Sequence, residues 1–481
     1  MVQHHNNSSR DGLYVQATLT RTAAATMQLD PTFVGTVQGN VYAQPLYVEN
    51  GPGGRGAFYV VTESNTVHAL DEATGNPVWT KTLGTAATVT GAGCGNISPL
   101  GITGTPYIDV VRRTIYLDSV SGSGAGIDKH LIHALSIDDG AEVSRWPVDV
   151  STVRSGSVAF DPGLENQRGA LVAVGDMLYV PYGGHAGDCG DYRGWVVAVP
   201  LANPGGARGW AVSARGGGIW APGGPSSDGA SVFVATGNTF RAGVWAGGEA
   251  VLRLQPGATF SGLPADYFTP SNWRALDAHD VDLGGSGPLL IDVPGATPSA
   301  LVVALSKAGV VHLLDRSNLG GVGQGNGTTG EGVFSERVAD GEIINAAASF
   351  STASGSYIVF HGHAGAHGVG CPSGPSGDLV SLRIVPGSPP RVATAWCADN
   401  QGQGSPIVTT TDGRSEAIVW SAGAEGSERL HAWNAETGEP IFAGGSGGDL
   451  MRKVRRFTAP IAVKGRILVG ADNRLYAFKM H

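Results

Sequence analysis

The sequence predicts an all-β fold in which about eight small antiparallel sheets close into a ring, and three observations carry that reading. First, the run Ala69-Leu70-Asp71-Glu72-Ala73-Thr74-Gly75-Asn76-Pro77-Val78-Trp79 returns in weaker form as Ala432-Trp433-Asn434-Ala435-Glu436-Thr437-Gly438-Glu439-Pro440-Ile441-Phe442. In the first copy an alternating strand, Thr66-Val67-His68-Ala69-Leu70, meets a turn built on Asp71, Thr74 and Gly75, and a second strand follows with a large aromatic. That is the pattern of a β-hairpin with a fixed anchor. Second, a Pro stands just before a short apolar run at Pro45, Pro106, Pro222, Pro288, Pro406 and Pro460, in steps of about 60 residues or about twice that. Third, helical periodicity is almost absent; residues 19–27 are the one candidate, and they are few.

Taken in order, the units begin at Pro45, which leads into the first repeat, and at Pro106. The third lacks the Pro and is placed by Gly169-Ala170-Leu171-Val172-Ala173-Val174. Pro222 and Pro288 open the fourth and fifth, and Asn345-Ala346-Ala347-Ala348-Ser349-Phe350 places the sixth. Pro406 opens the seventh, which holds the second repeat, and Pro460 opens the eighth. Proline has no N–H for a ladder, so within a sheet it belongs at an edge, and the innermost strand of a ring of sheets is such an edge. Four short strands per unit, closed radially, make a β-propeller with eight blades; seven blades are the alternative count. An open solenoid would need shorter, stricter repeats, and a parallel α/β fold would need amphipathic helices. The last unit has three strands, near 458–463, 466–470 and 474–478, before the chain ends. Its fourth is expected from residues 27–37, so that both ends of the chain close one blade.

Composition fits this architecture. Gly accounts for 75 of 481 residues and charged residues for 15%, against ~25% charged in average domains; many tight turns require the first. One domain over 1–481 is expected, with 1–37 as N-terminal segment and closing strand and 38–481 as blades. The net charge of −9 argues against nucleic acid as a partner, because phosphate contacts need clustered Lys and Arg. The basic cluster Arg452-Lys453-Val454-Arg455-Arg456 reads as a solvated loop before the final blade. No stretch reaches the ~20 apolar residues of a membrane span. The polar start Met1-Val2-Gln3-His4-His5 is not a signal peptide and reads as a mature domain whose leader has been removed. Cys94, Cys189, Cys371 and Cys397 sit in or beside Gly-rich loops, an even count that suits an oxidising compartment. Cys371 and Cys397 fall on neighbouring strands of one unit, which pairs Cys94 with Cys189. A periplasmic or secreted monomer is expected, with a small-molecule ligand at the channel mouth.

Histidines supply one candidate site. His361, His363 and His367 follow a strand in Phe360-His361-Gly362-His363-Ala364-Gly365-Ala366-His367, and His185 lies in Gly183-Gly184-His185-Ala186-Gly187-Asp188. Residues two apart on an extended chain point to one side, so His361 and His363 could share a transition metal such as zinc or copper, with His4 and His5 as further candidates. Equally, these are polar loop residues lining a wet channel mouth. His68, His133, His312 and His431 lie inside repeat strands and read as structural.

The stretch Ala69 to Trp79 resembles the tryptophan-docking repeat of the pyrroloquinoline quinone (PQQ) dehydrogenases, eight-bladed quinoproteins of the bacterial periplasm. Non-catalytic propellers such as outer-membrane assembly scaffolds carry the same repeat. Trp220, then Asp228 and Ser231-Val232-Phe233-Val234-Ala235-Thr236-Gly237-Asn238, is similar to the quinoprotein stretch in which a Trp forms the floor under the quinone and an Asn binds calcium. The resemblance therefore implies cofactor-binding roles for Trp220 and Asn238. Ala278-His279-Asp280-Val281-Asp282 resembles the segment whose first Asp is the family's general base, which makes Asp280 the candidate catalytic residue. Such a base is chemically apt: alcohol oxidation by a quinone needs a carboxylate for the hydroxyl proton and a cation to polarise the quinone carbonyl. Arg193-Gly194-Trp195 matches the strand after the family's calcium-binding Glu, but the Glu position here is Cys189, with Asp188 and Asp191 beside it as possible substitutes. The family's adjacent Cys-Cys pair and the haem-attaching Cys-x-x-Cys-His are absent. The resemblance implies an oxidoreductase for alcohol or sugar-type substrates using PQQ and calcium. The alternative is a propeller without redox chemistry, either a binding scaffold or a histidine-metal enzyme. In the site expectation, Asn238, Asp188, Asp191, His185, His361 and His363 are the metal candidates.

Overall fold

A computed structural model describes residues 1–481 apart from 90–93, 124–125, 324–330, 364–370 and 372–376. The strands form eight four-stranded antiparallel blades in a ring. Blade 1 runs outward through Leu46–Val48, Ala57–Thr62, Thr66–Asp71 and Pro77–Thr82. Blade 2 begins at Tyr107–Asp109, blade 3 at Val172–Val174, blade 4 at Ser226–Ser227 and blade 5 at Leu289–Asp292. Blade 6 begins at Ala348–Thr352, blade 7 at Ile407–Thr410 and blade 8 at Ile461–Val463. The six prolines each stand shortly before an innermost strand, as the edge argument requires. Blade 4 gains a fifth strand that the sequence did not signal: Gly321–Val322 reaches back from blade 5 and pairs in parallel with Tyr267–Thr269. The helical candidate at 19–27 is a single turn, Arg21–Ala24, with Thr20 capping Ala23 N.

Closure follows the expected route with a shorter strand. Met27–Leu29 pairs antiparallel with the C-terminal strand, Met27 opposite Met480 and Leu29 opposite Phe478. Asp30 and Pro31 end that strand, and the chain then ties blade 8 to blade 1: Val34 N and Gly35 N donate to Thr74 O and Gly75 O, and Leu475 N donates to Gly35 O. The turn of the first repeat is thus also a seam of the ring.

The apolar cores lie between blades. Leu46, Tyr59 and Val67 of blade 1 pack with Ile108, Ile115 and Leu135 of blade 2, and Val303 and Leu313 of blade 5 pack with Phe360 and Val380 of blade 6. The repeated turn and aromatic serve this packing. Trp79 Nε1 donates to Ile137 O at 2.9 Å and Trp396 Nε1 to Ala435 O at 2.7 Å, each reaching the turn of the next blade. Gly438 has φ +75°, and a Cβ there would lie 2.8 Å from the Trp396 ring, so no other residue allows the indole to dock so closely.

Residues 1–12 cross the central channel and satisfy the inner strand edges one blade after another. Backbone N–H groups of Tyr47, Ile108, Ser227, Leu290, Ser349 and Val408 donate to the carbonyls of Met1, Val2, Ser8, Ser9, Asp11 and Gly12. Blade 3 is reached by a side chain: buried Arg10 donates to Leu171 O, Pro225 O and His4 O, all at 2.9 Å. Leu13–Val15 then adds in parallel to the inner strand of blade 7. Inner strands carry unpaired edges, and this segment pairs them.

Candidate functional site

Loops that follow second strands, and connections between blades, converge at one mouth of the channel. The loop after Met177–Gly184 carries His185 and Asp188, and the connection from blade 3 to blade 4 carries Trp220. Asn238 follows Val232–Ala235, Asp280 and Asp282 lie between blades 4 and 5, and Lys307 follows Ala300–Leu305. Together with Arg168 and Tyr192 they line one cavity of about 230 Å³. Five of the sequence candidates, His185, Asp188, Trp220, Asn238 and Asp280, are therefore brought together.

Asp282 organises the cavity, and sequence reasoning did not single it out. Its side chain is 5% exposed. Oδ1 accepts from Asn238 N at 2.9 Å, and Oδ2 accepts from Trp220 Nε1 at 3.1 Å and lies 2.9 Å from Lys307 Nζ. A Cβ on Gly237 would sit 2.5 Å from Asp282 Oδ1, so the Gly before Asn238 is what admits the carboxylate. Lys307 Nζ also lies 3.1 Å from Asp280 Oδ1 and 5.4 Å from the Trp220 ring centroid. Burial works against the ammonium charge, but Asp282 and then Asp280 outweigh it and raise the Lys307 pKa. Asp280 stays 58% exposed, the carboxylate of the pair that faces solvent. Partial burial, then the charge of Asp282, push its pKa upward against the pull of Lys307. Behind it, Glu249 accepts from Leu283 N at 2.7 Å, and burial followed by the charge of Asp282 raises it well above the carboxylate range.

At the rim, Tyr192 donates to Asp188 Oδ1 at 2.7 Å. Cys94 and Cys189 are bonded, with Cα atoms 5.8 Å apart, and Gly95 N donates to Ala186 O at 2.8 Å, so the connection between blades 1 and 2 is fastened to the His185 loop. The second expected pair, Cys371–Cys397, is bonded as well. Burial, with the charges of His130 and Arg168, lowers His185 to about 4, and its buried Nε2 has no hydrogen-bond partner among the described residues.

Other candidates lie elsewhere. Asp191, 86% exposed, pairs with Arg215 Nε at 3.3 Å and faces away from the cavity, because the bridged turn at Cys189 and Gly190 directs it outward. His361 and His363 do adjoin, with ring centroids 5.0 Å apart, but His361 Nε2 lies 3.1 Å from Asp378 Oδ2, and neither lines the cavity. His367 lies outside the described residues. His4 and His5 stack at 4.3 Å, buried within the segment that crosses the channel. Among the described residues no group of three or more His, Cys, Asp or Glu is arranged to hold a metal ion. His68, His133, His312 and His431 are partnered, respectively by Gln38 N, Glu142, Ser335 and Ser427. The basic cluster needs a correction. Arg455 pairs with Asp472 and Arg456 with Glu425, and both arginines line a cavity on the channel axis instead of pointing only to solvent.

By sequence, neither a family model nor a curated protein matches the chain. Solved structures do match. The quinohemoprotein alcohol dehydrogenase from Comamonas testosteroni superposes with a TM-score of 0.63 at 14% identity, over 99% of this chain and 80% of that one. In fold the chain is similar to the propellers of quinoprotein alcohol and methanol dehydrogenases. A europium-containing methanol dehydrogenase gives a TM-score of 0.63 at 15% identity, over 100% of this chain and 98% of its own. BamB from Moraxella catarrhalis gives 0.52 at 14% identity, over 94% of this chain and 98% of its own. At such identities the likeness speaks to the fold, and function has to be argued from the site.

Proposed function

We propose that the channel-mouth cavity is the active site of an exported quinoprotein-type oxidoreductase that acts on alcohol or sugar-type substrates. The observation that carries this is the union of Trp220, Asn238 and Asp280 in one cavity, with a single carboxylate, Asp282, bonded to Trp220 and to Asn238 N. Two disulfides support an oxidising location.

The residues fit a planar, acidic quinone. The Trp220 ring offers an aromatic surface, and the Lys307 and Arg168 cations lie 5.4 Å and 5.8 Å from its centroid. They do not fit calcium. The ammonium of Lys307 stands against both Asp280 and Asp282, the Glu position is the disulfide-bonded Cys189, and Asp191 faces away. When bound, PQQ supplies a two-electron acceptor. The chain's own part is to place a substrate hydroxyl near Asp280, whose carboxylate takes the proton. The raised pKa of Asp280 makes it a stronger base than an ordinary aspartate. Lys307 orients that carboxylate and stabilises negative charge developing beside it.

Titrating the protein with PQQ, with and without calcium, tests this. Saturable changes in the quinone absorption at micromolar concentration, insensitive to calcium and lost in Trp220→Ala, are expected. Absence of any change would overturn the reading. The occupation of both carboxylates by Lys307 favours the second reading, a propeller that binds ligands at this mouth without redox chemistry.

A further inference from the structure

A further cavity, of about 480 Å³, lies at the end of the channel opposite the mouth. Topology places it there. The mouth residues stand before first strands or after second strands, whereas this cavity is lined by the far ends of the first strands of blades 4 to 6 and by turns of blades 4 and 7. Ser8, Ser9 and Asp11 of the crossing segment close it on the inner side.

The crossing segment leaves part of the inner edge unpaired here. It meets blades 5 and 6 through Leu290 N and Ser349 N. Every second residue of an antiparallel strand turns its N–H and C=O to the same edge, so Asp292 and Ser351 also present backbone groups to the channel, and no backbone bond joins them to residues 1–12. Beside them stands Arg316, whose side chain is 16% exposed. Its Nη2 donates to Ile291 O at 2.9 Å and lies 3.0 Å from Asp292 Oδ1, while its buried Nε has no hydrogen-bond partner among the described residues. Such a donor is costly to bury unless something accepts from it.

The charges narrow the ligand. Asp11, Asp228 and Asp292 outnumber the one guanidinium and repel an anion. A cation gains little, because Asp11 already accepts from Leu13 N and Asn7 Nδ2, and Asp292 is paired with Arg316. What remains is a set of donors and acceptors side by side. Hydroxyl groups, each of which both donates and accepts, match that set, and Leu13 adds an apolar side chain for the C–H face of a ring.

We infer that this far-end cavity binds a neutral hexopyranose sugar, its adjacent hydroxyls held by Asp292, Arg316 Nε and the free strand edge. The inference does not rest on the quinoprotein reading. Saturation-transfer NMR of the full chain, with glucose, galactose, mannose and putrescine each titrated to a dissociation constant, tests it. At least one hexose is expected to bind saturably. Its affinity should fall about tenfold in Asp292→Ala, a side chain 75% exposed and so replaceable without disturbing the core, and about threefold in Arg316→Lys, which keeps a cation and removes the Nε donor. Asp292→Ala decides the matter where Arg316→Lys fails to fold. Failure of all three hexoses to bind would overturn the inference. A hexose affinity unchanged in Asp292→Ala would overturn it too, by placing the sugar elsewhere, as at the channel mouth. So would putrescine binding that is lost in Asp292→Ala while no hexose responds to that change, since the cavity would then be a cation site.

Discussion

The segment crossing the channel and the loops at its mouth face the same axis but solve opposite problems. In the crossing segment, residues 1–12 pair the backbone edges of the inner strands, and the charged group it buries, Arg10, spends its three donor nitrogens on carbonyls. At the mouth the charges are instead set against one another: Lys307 between Asp280 and Asp282, and Arg168 with its Nε unpartnered among the described residues. The difference teaches where to look for chemistry. Satisfied polar groups hold a fold together; incompletely satisfied ones cost stability and are retained where a ligand supplies the missing partner.

Deleting residues 1–37 breaks the structural side of the comparison most severely. It removes the pairing of six inner strands together with the closing strand, and the protein is expected to lose cooperative thermal unfolding or fail to fold; an unchanged melting curve would refute closure. Lys307→Met breaks the other side. It leaves Asp282 buried beside Asp280 without a counter-charge, and denaturant unfolding should show a loss of about 3–5 kcal/mol, the cost of removing one partner from a buried pair. The least effect is expected from Trp396→Phe, which keeps an aromatic ring but removes the bond to Ala435 O together with the pyrrole part of the buried indole. About 1–2 kcal/mol, read from the same unfolding curves, would match a docking role for the indole N–H.

The frame was legible in the sequence for local reasons. Proline reports a strand edge from its own chemistry, and the turn and aromatic of the repeat lie within eleven residues, so eight blades, the closing segment and both disulfides could be read from spacing. Trp220, Asn238 and Asp280 were reached through resemblance. Asp282, Lys307 and Arg168 were not, because each acts through partners 20 or more residues away: Lys307 sits in an ordinary Ser-Lys-Ala-Gly turn, and Arg168 precedes a strand with nothing local to mark it. The path of residues 1–12 escaped for a related reason. It is held by backbone bonds to six blades, and backbone pairing without apolar alternation leaves no pattern to read. Asp191 misled because adjacency in the chain says nothing of which way a bridged turn faces.

If the mouth is the active site, Asp280 must act with the pKa its surroundings impose. Its carboxylate has to be ionised to accept a proton, and because burial and Asp282 raise its pKa, the acid limb of the rate profile should lie above that of an ordinary aspartate. The most direct measurement is dye-linked alcohol oxidation by the PQQ-treated protein and its Asp280→Asn and Asp191→Asn variants. The account predicts a loss of about 100-fold or more in kcat for Asp280→Asn, with the melting temperature unchanged, and full activity for Asp191→Asn. Equal activity in Asp280→Asn and the parent would contradict it.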